Sequence, residues 1–154
     1  MRPVETKRQE KIRAVVAGRR PGIIVVLEDV HDPHNAAAIQ RTCDALGIQE
    51  VWLVFKDEKP YNPRREGKSS SSSANKWLSF KVFKSTAECL HELAEHGYVS
   101  LSTVLQDGTD TVEAFSGARY EKIALWVGNE HRGLSVEARA GSAHRLTLPM
   151  RGMV

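Results

Sequence analysis

Long apolar runs are missing from this sequence. No stretch approaches the roughly 18 consecutive apolar residues that a membrane helix needs. Residues 1–20 are polar and basic, without the apolar core of a signal peptide, so a cytoplasmic protein is expected. Cysteine is scarce as well. Cys43 and Cys89 are the only two, neither has a second cysteine two or three residues away, and free structural thiols are the expectation rather than metal ligands. The nucleotide fingerprints are absent too, with no GxGxxG after a first strand and no Gly-Lys-Ser/Thr phosphate loop. Nor is there a large charge excess, because 22 Lys and Arg face 19 Asp and Glu for a net +3. That balance alone does not argue for nucleic acid.

What is present is an ordinary globular composition, 41% hydrophobic and 27% charged over 154 residues, enough for one domain with a single core. The positive charge is unevenly placed. Arg2, Lys7, Arg8, Lys11, Arg13, Arg19 and Arg20 crowd the first twenty positions, and Lys56, Lys59, Arg64, Arg65, Lys68, Lys76, Lys81 and Lys84 form a second zone. Two readings stand: a track for a phosphate backbone, or a solvated surface.

Periodicity organises the rest. Val4 to Ala17 sets Ile12, Val15 and Val16 at helical spacing and ends at Gly18, which predicts an amphipathic helix. Ile23 to Leu27 (IIVVL) reads as a strand buried on both faces. Asn35 to Leu46 reads as a helix with Asn35 at its N-cap and a stop at Gly47, and Val51 to Phe55 as the next strand. The polar stretch from Lys56 to Lys76, with its run Ser69 to Ser73, cannot build a core and reads as a loop, either a lid or a linker. Trp77 to Phe83 alternates like an edge strand, and Ser85 caps a helix carrying Ala87, Leu90, Leu93 and Ala94 up to Gly97. Its string HELAEH is no zinc motif, since His91 and His96 are five residues apart and point to different faces. Tyr98 to Val104 and Ile123 to Val127 supply strands on either side of an irregular acidic stretch, Asp107 to Tyr120. Ser135 to Ala140 is a short helix and Arg145 to Leu148 a last strand. The alternation predicts an α/β fold with a mainly parallel sheet flanked by helices, its ligands at the C-terminal ends of strands.

Three loop segments after strands carry residues that packing does not require. In EDVHDPHNAAAIQR, Arg41 lies about 200° around the helix from Ile39, off the apolar face, where a solvated arginine is the plain reading. In GNEHRGLS, Gly128 and Gly133 permit a sharp turn and close approach to a ligand, and Glu130 is an acid at a strand end. In LTLPMRGMV a strand runs into Pro149 and Gly152, and the sequence stops on Met153 and Val154.

In this order the segments HDPHNAAAIQRTCDALGIQEVWLV, IALWVGNEHRGLS and LTLPMRGMV resemble the three signature motifs of the SpoU branch of the SPOUT RNA methyltransferases. The resemblance spans nearly the whole chain. It implies a basic N-terminal helix over 1–20 and a methyltransferase domain over 21–154, with a SPOUT-type α/β trefoil knot, a homodimer, and S-adenosylmethionine as cofactor without a metal. The implied adenosine contacts are Thr103, Gly128, Glu130, Leu148 and Met150. The implied catalytic set is Arg41, Asn35 and Glu130, and Arg8, Lys11, Arg19, Arg20 and Lys76 would meet RNA. The implied reaction is 2'-O-methylation of a ribose, a D-loop guanosine of tRNA, with ribosomal RNA as the other substrate weighed. The family's arginine is held to take the hydroxyl proton, but a guanidinium keeps its own proton at neutral pH and is a weak base there, and binding the neighbouring phosphate is the less demanding role. Family members continue the third motif with a Ser-Leu-Asn segment and a final helix, so the resemblance also implies a chain lacking its C-terminal end and an incomplete knot. A non-catalytic RNA-binding protein is the alternative this leaves.

Overall fold

The IIVVL run becomes β1 (Ile23–Glu28), and from Ile24 to Glu28 every residue is buried. Alternate side chains point to opposite faces of a strand, and each face here has its own core. Ile24 and Val26 join Trp52, Trp126, Cys89 and Leu93 on one side, while Val25 and Leu27 join Ala36, Cys43, Val51 and Leu53 on the other. A computed structural model describes residues 6–66, 74–105 and 110–152. The expected helix start at Val4, the run Ser69 to Ser73, Asp107, and the last residues Met153 and Val154 lie outside the described residues.

The described elements follow the predicted alternation: α1 (Lys7–Ala17), β1, α2 (Pro33–Ala45), β2 (Glu50–Val54), β3 (Ser79–Phe83), α3 (Thr86–Glu95), β4 (Val99–Val104), β5 (Asp110–Thr111), β6 (Ile123–Val127), α4 (Val136–Ala140) and β7 (His144–Thr147). All strand pairs are parallel, in the order β3-β2-β1-β6-β4-β7-β5. The first three strands thus step outward in one direction. The chain then crosses to the other side, and β6 enters between β1 and β4. The loops after β1 and β6 therefore meet where strand order reverses, the usual place for a ligand in an open α/β sheet.

Three sequence expectations are corrected. The N-cap of α2 is Asp32, whose carboxylate accepts from His34 N at 2.8 Å, with Pro33 in the first turn; Asn35 lies inside the helix and its amide is left for other work. Proline is pre-organised for a first helical position, which moves the start upstream. On α3 the buried stripe is Thr86, Cys89 and Leu93, while Ala87 and Ala94 face solvent. The helix α1 forms but buries none of its residues, and Ile12, Val15 and Val16 remain exposed. Its C-terminal end is nonetheless fixed: Arg20 N donates to Gly47 O at 2.8 Å. Gly47, at φ +79, brings its backbone so near that a Cβ would lie 2.3 Å from Gly18 O.

The acidic stretch contains β5 and a short 3-10 turn, Gly117–Arg119. It is pinned by Tyr120 Oη and Asp110 Oδ2 on the two nitrogens of His144, at 2.7 and 3.0 Å. Both cysteines are buried free thiols, and burial pushes the Cys43 thiol up to about 11.

Leu93 is fully buried between α3 and the sheet. Leu93→Ala is expected to cost about 2–5 kcal/mol through lost transfer energy and the cavity left behind. Urea denaturation measures it, and a loss below about 1 kcal/mol would mean that this face is not the packed core described.

Candidate active site

The site grows from the end of β1. Glu28 is buried, and its carboxylate accepts from Thr86 Oγ1 at 2.5 Å, Ser135 Oγ at 2.7 Å and Ser135 N at 2.7 Å. The Ser135 hydroxyl in turn accepts from Ala138 N at 3.0 Å, capping α4. Asp29 follows in the left-handed region, φ 50, a conformation that aspartate tolerates better than most residues. Its carboxylate accepts from the backbone amides of Lys56, Asp57 and Glu58 at 2.8 to 3.2 Å, fixing the loop after β2.

The loop after β6 folds back on itself. Asn129 N donates to Gly133 O and Gly133 N to Asn129 O, at 3.1 and 2.9 Å. The Asn129 side chain accepts from His131 N and Arg132 N and donates to Asp29 O at 2.8 Å. A Cβ at Gly128 would lie 2.3 Å from Gly133 C and Leu134 N, so only glycine permits this closure.

Glu130 is held out toward the first loop. Its carboxylate accepts from His31 N at 2.9 Å, Asp32 N at 3.2 Å and Asn35 Nδ2 at 2.8 Å. Burial opposes its charge, but the bonds from Asn35, His31 and Asp32 outweigh that and hold its pKa below the ordinary glutamate value. A carboxylate so occupied and so acidic is a poor proton acceptor near neutral pH; its geometry suits positioning.

A second carboxylate completes the arrangement. Glu58 Oε1 accepts from Arg132 Nη2 at 2.8 Å and from Asn129 Nδ2 at 3.3 Å, while Oε2 lies 2.8 Å from His31 Nδ1. The hydrogen bond and charge of Glu58, aided by Glu130 and Asp32, raise the pKa of exposed His31.

The expected residues fall into three groups. Asn35 and Glu130 are in direct contact. Thr103 is the penultimate residue of β4, and Gly128, Leu148 and Met150 follow the ends of β6 and β7, the strands on either side of β4 in the sheet; Leu148 and Met150 are exposed, and the Thr103 hydroxyl donates to Trp126 O at 2.8 Å. Arg41 lies six residues beyond Asn35 on α2, and with Arg8, Lys11 and Arg19 it lines a cleft of about 570 Å³ between α1 and α2. Arg20 and Lys76 are exposed but are not among the residues that line this cleft. Glu28, Asp29, Asn129 and Glu58 are the site residues that sequence reasoning did not single out. The available signal was an acidic pair closing an otherwise apolar buried strand.

The family model for the SpoU rRNA methylase family matches residues 22–154. The tRNA (guanosine(18)-2'-O)-methyltransferase of Thermus thermophilus is 35% identical over the whole chain and 76% of that protein. The chain belongs to the SpoU rRNA methylase family. Its fold agrees with this: the Aquifex aeolicus TrmH/SpoU tRNA modifying enzyme superposes with a TM-score of 0.79 at 26% identity, over 96% of this chain and 73% of that one. The SpoU methyltransferase AviRb of Streptomyces viridochromogenes, solved with AdoMet, shares the fold with a TM-score of 0.73 at 23% identity, over 91% and 53%.

The two loop contacts titrate with opposite sign. Glu130 is depressed, so its contribution is present above the ordinary value of 4.5 and fades as pH falls through the lowered one. His31 is raised, so its contribution is full below 6.5 and fades as pH rises through the raised value. Around His31, the charged groups are Glu58, Glu130 and Asp32, with Arg132 on the far side of Glu58. Thermal stability against pH is therefore expected to decline on both sides of a mildly acidic plateau. Glu58→Gln should remove the alkaline decline and Glu130→Gln the acid one; unchanged profiles in both would show that neither pair contributes.

Proposed function

We propose that this chain transfers a methyl group from S-adenosylmethionine to the 2'-hydroxyl of a guanosine ribose in the D-loop of tRNA. The observation that carries the proposal is the whole-chain similarity to a protein named for that reaction, joined to a site built at the matching loops. The residues fit the cofactor: Leu148, Met150 and Leu105 leave apolar side chains exposed beside the ends of β4, β6 and β7, as an adenine ring requires. S-adenosylmethionine, when bound, would supply a methyl group on a positively charged sulfur, which leaves as a neutral thioether while the 2'-hydroxyl proton passes to solvent water. The contacts assigned to it are those of Thr103, Gly128, Glu130, Leu148 and Met150.

The protein's share of the work is placement. Holding two reactants in near-attack geometry removes up to about 7–11 kcal/mol of barrier. Glu130, with Asn35 and the His31 and Asp32 amides, locks the loop after β6 to the loop after β1, so both walls of the site move as one. Arg41 serves better as a forked donor to the phosphate beside the target ribose, and to the developing alkoxide, than as a base. Among the described residues it has no hydrogen-bond or ion-pair partner of its own, so it is free for this role. Residues 1–20 act as an RNA-contacting arm through Arg8, Lys11, Arg19 and Arg20, with Lys76 nearby, and 21–154 as the methyltransferase domain. Two copies form the working dimer, covering apolar side chains such as Val136 that one copy leaves exposed. No described helix is long and apolar enough to cross a membrane, and the cytoplasm is the compartment proposed.

Transfer of labelled methyl groups to bulk tRNA and to ribosomal RNA, with the modified ribose mapped, tests the reading. Label on a tRNA guanosine is expected; label on ribosomal RNA alone overturns the substrate. Arg41→Lys keeps the charge and loses the fork, and should lower kcat by on the order of 10²-fold. Near-normal turnover in that variant would remove Arg41 from the reaction.

A further inference from the structure

The cleft between α1 and α2 holds a feature that the methyl-transfer reading does not use. Its lining carries the cations Arg8, Lys11, Arg19 and Arg41 and a single acid, Asp44, which Arg19 Nη2 already engages at 3.2 Å. One wall is Trp77. Tryptophan is costly to leave in water, and the other two in this chain are hidden: Trp126 is 0% and Trp52 6% exposed, against 50% for Trp77. Buried rings here have partners, such as Phe83 against Trp52 at 5.2 Å. No described aromatic ring or cation stacks on Trp77.

We propose that Trp77 is a stacking platform for an unpaired base of the RNA, with the surrounding cations holding the phosphates on either side of that base. The assignment rests on the RNA-substrate reading above and deepens it. Two observations converge. The cleft has an excess of positive charge, and Arg8, Lys11 and Arg41 form no ion pair with any described residue, so a polyanion is the complementary occupant. The polar wall and the aromatic wall face one space, the combination by which proteins bind single-stranded nucleic acid: backbone charge gives affinity and a ring takes the base. An aliphatic face of α1, with Ile12, Val15 and Val16, closes the side on which the base would otherwise be wetted. Folded RNA offers unpaired bases only in loops, bulges and ends, so the platform selects a loop rather than a helix as the docked element. The Trp77 carbonyl accepts from Arg19 Nη2 at 3.4 Å, which couples the ring's position to the arginine.

The arrangement gives a direct optical test, because Trp77 is the solvent-exposed indole among three. The free protein should show a red-shifted, iodide-accessible emission component that Trp77→Phe removes. Titration with a tRNA transcript should quench that component, while heparin, a polyanion without bases, binds the same cations and leaves it largely unquenched. Trp77→Leu should weaken tRNA binding by roughly five- to tenfold with an unchanged denaturation midpoint, and Trp77→Phe should restore most of it. Saturating tRNA binding without quenching, wild-type affinity in Trp77→Leu, or equal quenching by heparin would each overturn the platform. Absence of the red component in the free protein would do so too, since the ring would then be covered by a second copy of the chain. The two readings separate cleanly. Quenching by tRNA without methyl transfer leaves the platform standing and removes the proposed reaction; normal transfer with an unaltered KM for tRNA in Trp77→Leu does the reverse.

Discussion

Asp29 sits in a left-handed backbone conformation at the end of β1, and the rest of the site depends on its staying there. Such a conformation costs on the order of 1 kcal/mol in a residue other than glycine. The cost is offset because the carboxylate gathers three backbone amides from the loop after β2, and the carbonyl takes the Asn129 amide from the loop after β6. One residue thereby sets the relative position of three loops that come from three neighbouring strands. Glu28 before it does the same on the other face, joining α3 to the start of α4 through Thr86 and Ser135. Two consecutive acids, one closing β1 and one just beyond it, organise the loops at the C-terminal edge of the sheet.

This explains the division of labour among the carboxylates. Glu28 and Asp29 are buried and taken up by donors, and they serve to hold the loops around them. Glu130 and Glu58 lie further out and bridge loop to loop, and it is Glu130 and the His31 ring against Glu58 that respond to pH. Arg41 on α2 faces Arg8 and Lys11 of α1 and Arg19 just beyond it across the cleft between the two helices. A gradient from saturated to unpaired polar groups thus runs from the sheet edge to the cleft, as expected where rigid support must carry a surface that binds something large.

Much of the fold was legible because its strands are apolar on both faces. IIVVL and IALWV have no polar alternation to confuse with a surface strand, and the glycines after α2 and α3 stand where the helices end. The start of α2 was less legible. Asn35 and Asp32 are both good caps, and only the preference of Pro33 for the first turn separates them. The buried face of α3 escaped for a related reason: Thr86 is less apolar by type than Ala87 and Ala94, yet it is buried because Glu28 satisfies its hydroxyl. At the site, the ordered motifs located the loops but could not disclose the network. Glu58 reaches Arg132, and Glu28 reaches Ser135, across 74 and 107 residues, and no local periodicity encodes contacts of that span. The cleft position of Arg41 follows from its place off the buried face of α2, which the helical angle did indicate.

The position of β6 bears on how the chain reaches this structure at all. β1 pairs with β2 early in the sequence, but its other edge waits for Ile123 to Val127, about a hundred residues later. Until the ribosome has released that segment, the most apolar strand of the protein presents an open row of amides and carbonyls, the kind of edge that invites pairing with another chain. Pairings so distant in sequence also form slowly. The central strand of the sheet is thus completed only by a segment from late in the chain, and its second edge stays unpaired until that segment arrives.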